Sequence, residues 1–436
     1  MSVVKVLSAQ EISRVCQQAS VIAASGNPAT GADQFVFFAA FDGTNNDKNN
    51  VALSGNPQDT NVAQLFAQAE RSARGDSNMG VGYYPGPGTR GSRTGSSWLP
   101  AQVTGQAIAA ANKAYGDFCA QAAAWLGHHP HGTVTAMMTS FSRGGASAAI
   151  FSQLLWERGL VDPNNGKVLI PPGKVGVSAG LIYDPVDTGV NGNLAFAPNV
   201  RNITVVHALD ERRTEFRGAD YFGQPGVTVL PYTGNHCDIG GGYDNGLGAL
   251  SLEAGTEFLR NSGMSIADVA ESRRFDPTKP VVIHTEGVDD HGHRVWTEDA
   301  KFGYGVPRLN EKVVTASMMQ EEGPSGETTR FTDFSGASVE LTTRADGGYT
   351  ERTVTHDGHM TETSNQTATT VQPNNARNAV RSTESSDFNI YGLDGSGAIH
   401  PSLLNSVEGA NDQYVDQWLA ERGYGLPVLS QMKNAG

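Results

Sequence analysis

The sequence predicts an α/β fold in which a mostly parallel sheet is flanked by helices and followed by a C-terminal part rich in β-structure. Two observations carry this prediction. Short runs of apolar and β-branched residues alternate with longer segments whose apolar residues recur at helical spacing. Polar residues capable of chemistry directly follow several of these runs, and in open α/β sheets that carboxyl edge of the strands is where ligands bind.

The predicted elements alternate along the first 260 residues. Strands are predicted at 34–41, 133–141, 175–183, 203–209 and 227–232, with a further short apolar run at 81–89. Helices are predicted at 61–74, 101–126 and 247–260, and another follows the strand 133–141 and ends near residue 159. This alternation is typical of a parallel sheet that is covered on both faces.

The composition excludes several classes of protein. The chain of 436 residues carries 31 Lys and Arg against 45 Asp and Glu, and this charge of −14 argues against a nucleic-acid partner. Three cysteines, far apart and odd in number, fit neither a disulfide framework nor a cysteine-based metal site. No apolar run approaches the ~20 residues that span a bilayer. The first residues lack a basic segment before an apolar core, so we expect no Sec-type signal peptide.

The stretch 133–156 joins a predicted strand to a predicted helix through Ser140-Phe141-Ser142-Arg143-Gly144. A serine between small residues at a strand-to-helix junction is the arrangement of a nucleophile elbow, whose usual pattern is Gly-x-Ser-x-Gly. Ser140 replaces the first glycine of that pattern. The alternative interpretation is a Ser/Gly loop that only connects the two elements.

An activated serine needs a base and an acid that orients the base. In elbow-containing hydrolases these follow in the order serine, acid, histidine, and the sequence supplies Ser142, Asp184 and His236 in that order. Asp187 competes with Asp184, which we prefer because it directly follows an apolar run. The backbone N–H of Arg143 is the natural first donor to an oxyanion. Gly43 and Thr44, in the loop after the first strand, offer the second.

Several other polar residues can be explained without a catalytic role. Three histidines, His128, His129 and His131, precede the elbow strand at its opposite end and are predicted to lie in a solvated loop. Asp238 is predicted to cap or order the glycine-rich loop after His236. A carboxylate-based metal hydrolase remains an alternative, which would use Asp42, Asp47, Asp184 and Asp238. We predict no metal or cofactor, with Ca²⁺ left open because those side chains offer oxygen ligands.

Four segments together resemble a known family, and the run from Tyr83 to Thr89 also fits its pattern. The segments are Phe41-Asp42-Gly43-Thr44-Asn45-Asn46, Phe141-Ser142-Arg143-Gly144-Gly145, His207-Ala208-Leu209-Asp210-Glu211-Arg212-Arg213 and His236-Cys237-Asp238-Ile239-Gly240-Gly241-Gly242-Tyr243. In this order they resemble the α/β-hydrolase phospholipase effectors of bacterial type VI secretion systems, the Tle lipases. The likeness covers Phe41 to Tyr243, and the C-terminal half departs from it.

The resemblance implies a serine esterase or phospholipase that hydrolyses membrane phospholipids in rival bacteria, with Ser142 as nucleophile, His236 as base and Asp184 as acid. It also implies a cognate immunity protein, delivery on the secretion spike protein, and synthesis in the cytoplasm without a signal peptide. A non-catalytic binding or delivery module with a hydrolase fold is the alternative, as is an esterase that acts on substrates other than lipids.

The chain is divided in our prediction into four parts. Residues 1–30 form an N-terminal lead-in, and 31–312 form the α/β-hydrolase catalytic domain. Residues 313–387, rich in Thr, Ser and Gly, form an insertion of exposed hairpins or irregular structure. Residues 388–436 regain apolar side chains and are expected to dock back on the body as part of a cap.

Overall fold

A computed structural model describes residues 2–28, 33–89, 100–244, 246–286, 311–314, 318–323, 326–355 and 358–365. Its helices are α1 (Ala9–Ala24), α2 (Asn61–Ala73), α3 (Pro100–Leu126), α4 (Gly144–Arg158), α5 (His236–Gly240) and α6 (Leu247–Asn261). Its strands, in chain order, are β1 (Ser2–Val6), β2 (Gln34–Phe41), β3 (Met79–Tyr84), β4 (Thr133–Phe141), β5 (Leu160–Val161), β6 (Val168–Ile170), β7 (Gly176–Tyr183), β8 (Ile203–Ala208), β9 (Gly218–Asp220), β10 (Val227–Tyr232), β11 (Val282–Glu286), β12 (Glu311–Val313), β13 (Met318–Gly323), β14 (Gly326–Thr332), β15 (Ser338–Thr343), β16 (Tyr349–Val354) and β17 (Met360–Asn365).

Six strands form a parallel sheet in the order β10-β8-β7-β4-β2-β3. The predicted fold class, an α/β sheet flanked by helices with a β-rich C-terminal part, is therefore confirmed. The chain starts near one edge at β2, moves outward to β3, and then crosses back to β4 and continues toward β10. The direction of winding thus reverses between β2 and β4, and ligand sites in such sheets lie at that reversal.

Both faces of the sheet are buried, which explains why its strands read as nearly continuous apolar runs. Successive side chains of a strand point to opposite faces. In β2, Phe37 and Phe41 pack in the layer under α3 and α4, whereas Phe38 and Ala40 pack in the layer under α1, α2 and α6. Because neither face of β2 meets solvent, the strand shows no polar alternation in its sequence.

The predicted N-terminal lead-in packs on the body of the protein. Helix α1 begins with a capping box between Ser8 and Glu11 and lies against α6. Strand β1 pairs with β11 in an antiparallel ribbon, with Val4 opposite His284. The N-terminal residues thereby reach the part of the chain that follows α6.

The Thr-rich C-terminal part contains a five-stranded antiparallel sheet of β13 to β17 in sequence order. It docks on the far end of α4, where the ring of Phe331 meets the edge of Trp156 at 5.8 Å. The Phe334 backbone N–H donates a 2.7 Å hydrogen bond to Gln153 in α4. The C-terminal segment 388–436 lies outside the described residues. Within the described part, no helix is long and apolar enough to cross a membrane.

Candidate active site

Four of the residues singled out in the sequence lie at the carboxyl edge of the sheet. Asp42 follows β2, Ser142 follows β4 and Asp184 follows β7. His236 opens α5, which begins a few residues after β10 ends. The winding reversal between β2 and β4 thus has the Asp42 loop on one side and the Ser142 turn on the other.

Ser142 occupies a sharp turn between β4 and α4. Its φ of 57° is in the left-handed region, which a residue with a Cβ atom adopts at a cost. The turn is held by the Ser142 backbone N–H, which donates to the carbonyl of Tyr183 at 3.1 Å. A Cβ atom at Gly144 would lie 2.5 Å from the backbone oxygens of Phe41 and Asp42, so only glycine fits there. These features are those of a nucleophile elbow.

Asp184 and His236 form a buried acid–base pair. Oδ2 of Asp184 accepts a 2.6 Å hydrogen bond from Nδ1 of His236, and the side chains are 0% and 2% exposed. Oδ1 of Asp184 accepts the backbone N–H of Ala208 at 3.0 Å. Both carboxylate oxygens are therefore engaged, which fixes the imidazole with Nε2 as its remaining nitrogen.

The His236 imidazole is enclosed by two aromatic rings. Phe141, adjacent to Ser142, lies 4.3 Å from it, and Phe216 meets it edge-on at 4.7 Å. Burial lowers the pKa of His236, and the hydrogen bond that it donates to Asp184 opposes that shift. The neutral form, which can accept a proton, is thereby favoured at neutral pH.

Ser142 and His236 are brought to the same place without a direct hydrogen bond between Oγ and Nε2. They are linked through neighbouring residues, since the Phe141 ring contacts the imidazole at an angle of 31° and the Ser142 backbone N–H donates to the carbonyl of Tyr183, next to Asp184. Bonds of this type are often long in the absence of substrate and tighten in the complex. The arrangement suits proton transfer from Ser142 once a substrate is bound.

The loop after β2 is organised by the buried carboxylate of Asp42. Its oxygens accept hydrogen bonds from the backbone N–H of Gly43 at 2.8 Å, the hydroxyl of Thr60 at 2.9 Å and the hydroxyl of Tyr83 at 2.7 Å. Burial outweighs these three bonds and raises the pKa of Asp42 to about 6. The Gly43 N–H is thus occupied, whereas the Thr44 N–H makes no hydrogen bond within the described part of the chain.

This loop lies against the turn that carries Ser142. A Cβ atom at Gly43 would be 3.0 Å from that of Ser142. The backbone N–H of Asn45 donates to the carbonyl of Pro87 at 2.8 Å, and that of Gly86 donates to Asn46 at 3.0 Å. The segment with the sequence Tyr-Pro-Gly-Pro-Gly, which matched the family pattern, therefore fixes the height of the loop above the sheet.

The competing candidates have other partners. Both carboxylate oxygens of Asp187 accept hydrogen bonds from the Arg217 guanidinium, Oδ1 at 2.7 Å and Oδ2 at 2.9 Å. His129 bonds Asp33 at 2.8 Å at the opposite end of the sheet, as the sequence predicts for that cluster. Asp238, predicted to cap or order the glycine-rich loop, lies in the capping box at the start of α5, where it accepts the backbone N–H of Asn235 at 2.9 Å.

The carboxylates proposed for a metal hydrolase are likewise engaged elsewhere. Asp42 is bound by Thr60 and Tyr83, and Asp184 is bound by His236. Among the residues that the structure describes, no three His, Cys, Asp or Glu side chains converge as a metal site would require.

Two features of the site were missed in the sequence. Arg143 was singled out only for its backbone, yet its buried guanidinium donates to the carbonyls of Thr188 and Glu215 at 2.7 Å each and to the Thr44 hydroxyl at 3.4 Å. Burial lowers the pKa of Arg143 to about 10. The only signal in the sequence was a charged residue in a run of small, apolar ones.

The second missed feature is a buried ion pair beside the imidazole of His236. Arg213 and Glu211 form a buried pair at 2.7 and 2.9 Å, and the Arg213 guanidinium lies 3.7 Å from the centre of the Phe216 ring. Phe216 is thereby held between Arg213 and His236. Both charged residues belong to a segment that matched the family pattern, which gave their position and not their role.

No family model matches the sequence, and no curated protein matches it. Similar solved structures include an uncharacterized protein from Pseudomonas aeruginosa, at 15% identity and a TM-score of 0.41 over 62% of this chain and 52% of that one. The Tle1 effector bound to the VgrG spike from the type 6 secretion system is 20% identical, with a TM-score of 0.35 over 50% of this chain and 53% of that one. The apo form of Thermogutta terrifontis esterase 2 is 16% identical, with a TM-score of 0.28 over 54% of this chain and 87% of its own. This chain spans about half the length of the first two.

Proposed function

We propose that the protein is a serine hydrolase of carboxylic esters that acts through an acyl-enzyme. The observation that carries the proposal is the hydrogen bond of 2.6 Å between His236 and Asp184 beside a serine held at a φ of 57° in a strand-to-helix turn. An ion pair that served only the fold would not need a strained serine next to its imidazole. The left-handed serine and the oriented histidine are together what nucleophilic catalysis requires.

In the proposed reaction, Ser142 Oγ attacks the acyl carbonyl while His236 Nε2 takes the hydroxyl proton. The Asp184 carboxylate holds the Nδ1–H and stabilises the imidazolium that forms. The imidazolium then gives its proton to the departing alkoxide, which leaves as the alcohol. The same nitrogen then deprotonates a water molecule, which attacks the acyl-enzyme. When this second tetrahedral intermediate collapses, the acid leaves and the imidazolium returns its proton to Ser142 Oγ.

The oxyanion of each tetrahedral intermediate is assigned to backbone donors. Arg143, directly after the nucleophile, supplies the first N–H, as we predict from the sequence. On the β2 side we assign the second to Thr44 in preference to Gly43, because the Gly43 N–H already bonds Asp42. Gly43 then allows the loop after β2 to lie close to Ser142, since any side chain at Gly43 would press on Ser142.

Membrane phospholipids are the proposed substrates, with acyl esters as the bond cleaved. This part rests on the resemblance of the four sequence segments to type VI phospholipase effectors, as do a cognate immunity protein, a spike partner and secretion into target cells. Mass spectrometry of the products from defined phospholipid vesicles tests it. Release of free fatty acid and lysophospholipid is expected, and turnover of soluble esters alone would overturn the lipid assignment.

The catalytic proposal is tested with Ser142→Ala and a fluorophosphonate probe, which reacts only with an activated serine. Loss of the nucleophile should lower ester turnover by about 10⁴- to 10⁶-fold. Ser140→Ala is a matched control, because Ser140 is two residues away and equally buried, at 0% exposure against 2%. An unlabelled wild-type protein would instead indicate a non-catalytic binding module with the same fold.

A further inference from the structure

A second buried aspartate–histidine pair lies next to the first. Oδ1 of Asp238, two residues after His236, accepts a 2.8 Å hydrogen bond from Nδ1 of His284, and Oδ2 accepts the His284 backbone N–H at 3.0 Å. The side chains are 0% and 15% exposed. His284 belongs to β11, so this pair joins the ribbon of β1 and β11 to the helix that carries His236.

The Asp238 carboxylate also determines the geometry of the turn before His236. Its Oδ2 accepts the backbone N–H of Asn235 at 2.9 Å. In return, Oδ1 of Asn235 accepts the backbone N–H groups of Cys237 and Asp238, each at 3.0 Å. This reciprocal cap encloses His236, the first residue of α5.

Helix α5 is held near its end by Asn61 and Ser251, whose side chains each donate a 3.0 Å hydrogen bond to the Ile239 carbonyl, and at its start by the cap. It is five residues long, and so short a helix is unstable by itself because its nucleus is costly to form. At the start of the helix, the cap constrains where the Cα–Cβ bond of His236 points, together with the His236 backbone N–H, which donates to Glu211 at 3.4 Å. The cap in turn depends on the orientation of the Asp238 carboxylate, which His284 holds from the other side.

The ribbon side of this arrangement is itself firmly placed. The His284 ring stacks on Tyr243 at 4.0 Å with an angle of 25° between the planes. Strand β11 is held to β1 from Ser2↔Glu286 to Val6↔Val282, and the backbone N–H of Leu7 donates to Val281 at 2.9 Å. A rigid donor thus faces Asp238.

We infer that Asn235, Asp238 and His284 are positioning residues for His236, through which the ribbon of β1 and β11 sets the angle of the imidazole toward Asp184 and Ser142. This inference rests on the proposed function. The three residues act on the turn that carries His236, so their loss should slow the chemical step while substrate binding is retained. A displacement of the imidazole by ~1 Å is enough to cost about 100-fold in rate.

Two substitutions of His284 separate positioning from packing. His284→Phe keeps a ring to stack on Tyr243 but removes the donor to Asp238, whereas His284→Asn loses the ring and keeps an N–H near the place of Nδ1. We expect His284→Phe to lower kcat for a nitrophenyl ester by about 10- to 100-fold with little change in KM. His284→Asn should stay within about threefold of the wild-type protein, because a hydrogen bond is replaced by one of the same kind.

A role in packing alone predicts the reverse order, with His284→Phe active and His284→Asn impaired, and that result would overturn the inference. A rise in KM with kcat unchanged would overturn it as well. If His284→Phe does not fold, Asn235→Ala takes its place, since it removes the cap acceptor and leaves the ribbon intact; the same loss in kcat is expected. The exposed pair of His129 and Asp33 is the control, and His129→Ala should leave kcat within about twofold.

A measurement without turnover distinguishes failure of this inference from failure of the proposed function. With ¹⁵N-labelled histidine, the Nδ1–H of His236 in its bond to Asp184 should give a low-field proton resonance. We expect that resonance to shift or to exchange faster in His284→Phe and to be kept in His284→Asn. An unchanged resonance in His284→Phe contradicts the inference even if the ester assay shows no activity, whereas an inert wild-type protein with the expected resonances contradicts only the proposed function.

Discussion

The carboxylate of Asp184 and the imidazole of His236, 52 positions apart in the chain, meet at 2.6 Å in a site that excludes water from both groups. Asp187, three residues after Asp184, is bound instead by the guanidinium of Arg217. The two aspartates that follow β7 are thus divided between a histidine and an arginine. The sequence could rank them only by their distance from the end of an apolar run.

This division predicts different outcomes for two matched substitutions. Asp184→Asn should lower kcat by about 10⁴-fold, because an amide favours the wrong imidazole tautomer and cannot stabilise the imidazolium. Asp187→Asn should lower the Tm by weakening the pair with Arg217, with kcat within about tenfold of wild type because the Asp187 carboxylate bonds Arg217, whereas His236 bonds Asp184. Kinetics on a short-chain nitrophenyl ester and thermal unfolding measure both. The reverse pattern in kcat would make Asp187 the acid.

The pH dependence should follow the protonation of His236. Burial lowers the pKa of His236 from its ordinary value of 6.5, so we expect the rate of fluorophosphonate labelling to rise with pH about a midpoint below 6.5. The direction follows because the imidazolium, present at low pH, cannot accept the proton of Ser142. Labelling rates between pH 4 and 8 test this expectation. A midpoint above 6.5 would mean that Asp184 outweighs burial.

The regular elements could be predicted because their signals are local. The helix predicted at 61–74 is α2, and the strand predicted at 34–41 is β2, with both faces apolar because both are covered. The order Ser142, Asp184, His236 could also be read from the sequence, because it depends only on the positions of these residues along the chain. Helix α5 was not, since five residues with two glycines beyond them carry no helical period.

Contacts between distant residues explain the rest of what was missed. Nothing near His284 indicates that its ring bonds a carboxylate 46 positions earlier. The same holds for the Arg143 side chain, whose carbonyl partners Thr188 and Glu215 come from two separate loops. Every residue has a backbone carbonyl whatever its side chain, so a sequence pattern cannot predict which carbonyl accepts a given hydrogen bond.

Asp42 should make the stability of the protein depend on pH. Its pKa is raised to about 6 from 3.8, so the folded state holds its proton more tightly than the unfolded chain. The stability from this group is therefore fully present below pH 3.8 and is lost as pH rises through 6. We expect Asp42→Asn to remove this loss, so that between pH 4 and pH 7 the free energy of unfolding of the variant rises by about 2 kcal/mol relative to that of the wild-type protein. Urea unfolding of both proteins measures the difference, and a constant difference would contradict the raised pKa.

Gly86 should be required for the geometry of the loop after β2. A Cβ atom there would lie 1.6 Å from the carbonyl oxygen of Gly43, which is backbone and cannot rotate away. We expect Gly86→Ala to lower kcat by about 100-fold or more, because the Thr44 N–H moves with the loop. Gly75→Ala is the control, since its Cβ atom would meet nothing closer than 3.8 Å. Equal kcat values for the two variants would separate this loop from catalysis.

Ser140, which stands where the family pattern has glycine, should cost stability without serving catalysis. Its hydroxyl is fully buried in β4 and has no hydrogen-bond partner among the residues that the structure describes, so it has lost its water without replacement. The Ala side chain fits the same space without the hydroxyl, and we expect Ser140→Ala to raise the free energy of unfolding by about 1 kcal/mol. Ester turnover should be unchanged, since Ser142 and not Ser140 lies in the left-handed turn. A loss of turnover in Ser140→Ala would show that the buried hydroxyl supports the elbow, and the stability measurement would then be expected to fall as well.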